Sequence, residues 1–214
     1  IQKQLGITLK LNWVPLTAEN RIDMVAQGKV DIECSTTTAS LSRQARVDFS
    51  LMTFVDGGSF LTLADSGLSS VSDLANKRIA VIAGTTTEKA LTNFLKEQFL
   101  TVELVRVKNH LEGRAALEKG AVAAFASDRG ILIGLVVTAK DPKRFGLATF
   151  SFSYEPYGFM VRRNDGSFRL AVNRALAALY RSGDVAAIYE RWFGALGKPS
   201  PALQFMYLLN ALPE

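Results

Sequence analysis

The sequence predicts an α/β protein of two lobes with parallel-rich sheets, and three observations support this. Short β-branched and apolar runs alternate with amphipathic helical patterns along most of the chain, the pattern of strands joined by crossover helices. Two longer extended stretches, Phe49 to Leu63 and Phe150 to Val161, are rich in aromatic residues and bracket a block of that βα pattern. The 214 residues are 48% apolar with only 6 prolines, enough to bury a core and unlike a disordered segment.

Taken in order, Ile1 to Gly6 reads as the last turn of a helix with a glycine just past its end, and the alternation of Ile7, Leu9, Leu11 and Trp13 predicts a strand over 7–14. A helix that short does not stand alone, because nucleation is costly and ~12 residues are usually needed. An upstream segment carrying any targeting signal is therefore expected. A helix follows over 17–28, from Thr17 to Gly28, with Ile22, Val25 and Ala26 on one face and Arg21 near its first turn. Further strands are predicted at 30–34, 78–82, 101–107 and 121–127, and further helices at 86–98, 111–119, 129–139, 167–182 and 184–193. The run Tyr154 to Gly158, with Pro156 inside it, predicts a bend in the returning strand. The two aromatic stretches read as two crossings between lobes: 1–57 with 153–214 form lobe 1, and 58–152 an inserted lobe 2. A cleft between two lobes is a favoured place for a small ligand.

Composition narrows the chemistry. The net charge of +5 comes from interspersed Lys, Arg, Asp and Glu, without the blocks of one sign that attract nucleic acid. A single cysteine, Cys34, excludes an intrachain disulfide and any C-x-x-C site; in an apolar strand it reads as a small core residue. The only histidine, His110, follows the strand 101–107 as a surface or helix-start residue, and with no visible carboxylate help it makes no metal site. No G-x-S-x-G elbow is present, and neither a cofactor nor a metal is expected. The longest apolar run, Ile131 to Val137, is far short of the ~20 residues of a membrane span.

In open parallel sheets ligands bind beyond the carboxyl ends of strands, and three polar clusters lie there. After 30–34 come Ser35, Thr36, Thr37 and Thr38, then Arg43, able to supply hydroxyls, N–H groups and a guanidinium fork to one anion. The alternative is that the threonines cap a short helix and Arg43 is solvated. After 78–82 come Gly84, Thr85, Thr86, Thr87 and Glu88, opening a helix whose free N–H groups favour an anion; Thr85 and Glu88 equally have capping-box spacing. The P-loop lysine and the dinucleotide glycine spacing are both missing there. Asp128 ends the strand 121–127, either to accept hydrogen bonds from a ligand ammonium or to cap the helix 129–139. Phe54 and Phe60 read first as buried residues of the crossing strands and second as stacking walls; Tyr189, Trp192 and Phe193 read as packing between the last helix and its lobe.

These clusters resemble the family of polar amino-acid solute-binding proteins of ABC importers, over essentially the whole chain. The resemblance is strongest from Gly28 to Ser50, with Thr38 five residues before Arg43 and the ending Val47-Asp48-Phe49-Ser50. It continues from Leu74 through Gly84 to Thr86, and in Tyr189-Glu190-Arg191-Trp192-Phe193-Gly194. Within the family, Asn20-Arg21-Ile22, Asp31 to Cys34, Phe54-Val55, His110 and Tyr157-Gly158 resemble the glutamate/aspartate-binding subgroup. The resemblance implies a periplasmic-binding-protein-like fold of type II with a two-strand hinge, and a non-enzymatic role: capturing glutamate or aspartate by hinge closure and delivering it to membrane permease subunits. It implies that Arg43 clamps the α-carboxylate with Thr38 and Thr86, that Asp128 holds the α-ammonium, and that Arg21, Thr36 and His110 meet the acidic side chain. Export to the periplasm behind a removed signal peptide follows from the same likeness. Two departures stand out: the family's first strand and helix precede Ile1, and Ala18 replaces a serine expected three residues before Arg21. The missing strand would leave a sheet edge open to oligomerisation. An extracytoplasmic sensor domain and a dehydratase share this fold and are the alternatives to transport.

Overall fold

The computed structural model describes residues 1–194 and 198–214, with Lys3 and Gln4 described by backbone alone. In chain order its elements are α1 (Gln2–Leu5), α2 (Arg21–Ala26), β1 (Ile32–Glu33), α3 (Leu41–Gln44), β2 (Val47–Asp56), β3 (Gly58–Leu63), β4 (Arg78–Ile82), α4 (Thr86–Glu97), β5 (Glu103–Val107), α5 (His110–Glu118), β6 (Ala124–Asp128), α6 (Arg129–Val137), β7 (Phe145–Leu147), β8 (Glu155–Arg162), α7 (Gly166–Ser182), α8 (Val185–Phe193) and α9 (Pro201–Leu209), with single 3₁₀ turns at Val71–Leu74 and Pro142–Arg144. The chain separates into two compact units: unit 1 is Ile1–Val55 with Pro156–Glu214, and unit 2 is Asp56–Glu155. No helix among the described residues is long and apolar enough to cross a membrane.

In unit 1, α1 ends as expected on Gly6, whose φ of 65° is the left-handed cap that glycine accepts without strain. The strand expected over 7–14 does not form. Alternation makes a strand only where a neighbour supplies the ladder hydrogen bonds, and here Ile7, Leu11 and Trp13 are exposed, Trp13 at 86%. The helix expected from Thr17 starts only at Arg21, because the Thr17 amide donates to Asn20 Oδ1 (2.8 Å) and the Asn20 amide to Thr17 Oγ1 (3.3 Å), closing a polar turn first. The sheet order is β1-β8-β2, and β1 runs antiparallel to β8, with Glu33 opposite Met160. The expectation of parallel pairing therefore fails at this pair. Val25, Val47, Phe49 and Met160 make the buried core beside it. The bend expected over 154–158 is displaced: β8 is continuous through Pro156, and the bend falls before it at 152–153. Pro156 is the second residue of β8, and its carbonyl accepts the Ala39 amide at 2.8 Å. Helix α9 was not predicted; it starts on Ser200, whose hydroxyl accepts the Leu203 amide, with Pro201 in the first turn.

Unit 2 follows the βα pattern closely. Its sheet order is β5-β4-β6-β3-β7; β4 lies parallel to both β5 and β6, while β3 runs antiparallel to β6 and β7. The extended stretch 49–63 divides at Gly57, where a Cβ would stand 2.5 Å from the Ser153 carbonyl oxygen, so only glycine fits. The core joins Phe60, Leu74, Ile79, Val81, Leu91, Leu95, Ala124 and Ala126. Phe60 is buried as expected and packs with Phe94, Phe150 and Phe152, their ring centroids 5.0 to 6.5 Å away.

Two further expectations are corrected. Cys34, one residue past the end of β1, is exposed instead of lying in the core, because the strand is only two residues long. Trp192 is 70% exposed, with the Arg191 guanidinium 5.4 Å from its ring centroid, so it is not core packing. Phe193 does pack, stacked on Phe54 at 5.5 Å and on Tyr189 at 5.3 Å.

Candidate functional site

The first group of candidates is in unit 1, around the segment that joins β1 to α3. Helix α3 is a single turn capped by Ser40, whose hydroxyl accepts the Arg43 amide. The threonines therefore do not cap it, and Arg43 is not solvated: it is 8% exposed and its Nη1 donates to the Thr38 carbonyl at 2.9 Å. Thr38 is buried and bridges to Tyr157 on the neighbouring strand. A guanidinium held this way costs less entropy when it forks onto a carboxylate, because its direction is already set.

Arg21, at the start of α2, reaches the same segment. Its Nη1 donates to Thr37 Oγ1 at 2.6 Å and to the Thr36 carbonyl at 3.5 Å. Thr36 thus contributes through its backbone, and its side chain is exposed. Thr37 in turn donates its hydroxyl to Glu33 Oε1 at 2.9 Å, and that oxygen lies 3.8 Å from Arg21 Nη1. Burial pushes the Glu33 carboxyl above its ordinary value, opposed by the charges of Arg21 and Arg43 and by hydrogen bonds from Thr37 and Ser35. Unit 1 therefore assembles two arginines around one buried carboxylate.

The second group is in unit 2. Since β4 and β6 are adjacent and parallel, their carboxyl ends open at the same edge of the sheet, which brings the start of α4 to the end of β6. Helix α4 has the anticipated capping box: Thr85 Oγ1 accepts the Glu88 amide (3.1 Å) and Glu88 Oε2 accepts the Gly84 amide (2.8 Å). Thr86 and Thr87 then turn to carboxylates. Thr86 Oγ1 donates to Glu155 Oε2 at 2.8 Å, and Glu155 Oε1 accepts the Ser153 hydroxyl at 2.8 Å. Thr87 Oγ1 donates to Asp128 Oδ1 at 2.7 Å. Asp128 stands at the cap position of α6 but makes no side-chain cap hydrogen bond, and it is 6% exposed. A buried carboxylate so placed, with the Thr87 hydroxyl among its partners, carries the charge that a cation would meet.

His110 is the first residue of α5, half-buried, with its ring edge-on to Phe125 at 6.4 Å. Its part in the group rests on position alone. Glu33 and Glu155 were not singled out from the sequence, and Thr37 and Thr87 were named in the polar clusters without a role of their own; the available signals were an acidic residue inside an apolar strand and a hydroxyl one position from each chosen threonine.

The comparisons with known proteins agree on the family and differ in the ligand. The sequence pattern of the bacterial extracellular solute-binding proteins, family 3, matches residues 1–195. The chain is 34% identical over 194 residues to an L-glutamate/L-aspartate-binding protein of Pseudomonas aeruginosa, covering 90% of this chain and 64% of that one. It is 32% identical over 185 residues to a glutamate/aspartate import solute-binding protein of Salmonella typhimurium, covering 86% of this chain and 61% of that one. The chain thus spans less than two thirds of the length of these relatives. Among solved structures, an ancestral arginine-binding protein bound to glutamine is similar with a TM-score of 0.79 and 27% identity, covering 90% of this chain and 83% of that one.

Proposed function

The chain belongs to the bacterial extracellular solute-binding proteins, family 3, and from that premise we propose that it is the solute-binding component of an ABC importer for acidic amino acids, glutamate or aspartate. Its α/β fold is the type II fold of periplasmic binding proteins. Ligand specificity varies among such proteins, as the arginine-binding relative holding glutamine illustrates, so the choice of an acid rests on this chain's own residues.

The observation that carries the proposal is the charge inventory of the two groups. An acidic amino acid presents two carboxylates and one ammonium; unit 1 offers Arg43 and Arg21, and unit 2 offers Asp128. Arg43, with Thr38 and Thr86, takes the α-carboxylate, Asp128 the α-ammonium, and Arg21, with Thr36 and His110, the side-chain carboxylate. The role is recognition without covalent chemistry. Secretion to the periplasm and docking on membrane permease subunits complete the proposal, supported by the likeness to extracellular and import solute-binding proteins.

Isothermal titration of the folded chain with L-glutamate, L-aspartate and L-glutamine tests it. Micromolar or tighter binding that favours the acids is expected. Binding of glutamine in preference to both acids would overturn the acidic specificity, and binding of none of the three by folded protein would overturn the ligand class.

A further inference from the structure

Glu33 lies in β1 with 4% of its surface exposed, and burying a carboxylate there costs free energy that only its partners offset. Those partners are arranged unusually. Arg21 and Glu33 are not joined by the two parallel hydrogen bonds that make an arginine–carboxylate pair strong. Thr37 stands between them, accepting from Arg21 Nη1 and donating to Glu33 Oε1, while the ions themselves stay 3.8 Å apart. Arg21 Nε and Glu33 Oε2 are both buried and have no hydrogen-bond partner. A pair serving stability alone would close those two atoms onto each other. Here the guanidinium keeps donor capacity, and the carboxylate acts on it mainly through charge. The Arg43 guanidinium is close enough for its charge to act on the same carboxylate.

We propose that Glu33 is a specificity-determining residue: held to Arg21 through Thr37, its negative charge offsets part of the positive charge that Arg21 presents to a ligand, and so sets the preference between an acidic side chain and its amide. This rests on Arg21 belonging to the amino-acid site proposed above. Glu33 itself touches no ligand; it is a positioning residue acting through Arg21. Glutamate and glutamine share shape and α-groups but differ by one charge, so their affinity ratio reports this effect and is insensitive to general damage to the site.

The test is calorimetry with glutamate and with glutamine on the wild-type chain, Glu33→Gln and Glu33→Asp. Removing the charge in Glu33→Gln should raise the glutamate-to-glutamine affinity ratio at least tenfold, the effect of a unit charge about 12 Å from the ligand's at an effective dielectric near 20 and a lower bound for one that is nearer. Glu33→Asp withdraws the carboxylate by one methylene and should shift the ratio the same way by less, which keeps the test available should the glutamine variant fail to fold. A folded variant whose ratio stays within twofold of the wild type overturns the inference and leaves the proposed function standing. A wild-type chain that is folded and binds neither amino acid overturns both.

Discussion

Replacing Arg43 by alanine should weaken glutamate binding at least tenfold. The guanidinium is almost fully enclosed and is aimed by its 2.9 Å bond to the Thr38 carbonyl, so little of its interaction with a carboxylate would be lost to solvent screening. A hydrogen bond to a charged group contributes about 1.5–3 kcal/mol net, so at about 1.4 kcal/mol per factor of ten the loss of one such bond weakens binding about 10- to 150-fold; tenfold is the floor, and the loss of both bonds of a fork exceeds a hundredfold. Truncation also removes a donor to the Thr38 carbonyl, which keeps the Ser40 amide at 3.0 Å, so folding stability should fall by only about 0.5–1.5 kcal/mol, the net worth of one hydrogen bond. Affinity must therefore be measured by calorimetry on protein shown to be folded by circular dichroism. Arg43→Lys separates charge from geometry: lysine keeps the cation but loses the fork, and an affinity between wild type and alanine is expected. Unchanged affinity in folded Arg43→Ala would refute the assignment of this residue to the carboxylate.

Asp128→Asn keeps the shape and the acceptor for Thr87 but removes the charge, so glutamate should bind at least tenfold more weakly while the melting temperature moves little; equal affinity in a titration would remove Asp128 from the ammonium role. Gly113→Ala should destabilise unit 2 by about 1–3 kcal/mol in denaturant unfolding, because a Cβ there would stand 2.5 Å from the buried ring of Phe125; an unshifted midpoint would show that the ring gives way freely. A pH series tests Glu33. Its folded carboxyl is raised above 4.5, so the stability the neutral acid contributes is fully present below pH 4.5 and is lost as the pH rises through the folded value. The stability of Glu33→Gln relative to wild type should accordingly improve as the pH climbs from 4.5, and a pH-independent difference would contradict the burial argument.

Much of the architecture was legible because it depends on neighbours in sequence. The βα alternation of unit 2, the left-handed cap at Gly6 and the capping box of Thr85 and Glu88 are set by residues within one helical turn or one strand of each other. The same locality made Thr38, Arg43, Thr86 and Asp128 visible as polar residues following strands. Local pattern failed where a distant partner had to cooperate. The run from Ile7 to Trp13 has the alternation of a strand, yet among the described residues it pairs with no other strand; Cys34 and Trp192 sit in apolar surroundings in the sequence but on exposed surface in the fold.

The sequence by itself thus determined the fold class, the family and which residues were candidates for a ligand. Only the tertiary structure decided how those residues are held. Asp128 takes its hydroxyl from Thr87, 41 residues away, and not from its own helix; Thr86 is directed onto Glu155, 69 residues away; and Arg21 meets the buried Glu33 through Thr37. Such pairings follow from the order and direction in which strands are stacked, since adjacent parallel strands bring the ends of distant segments to one edge of a sheet. Charge and burial then act between groups that no local pattern in the chain brings together.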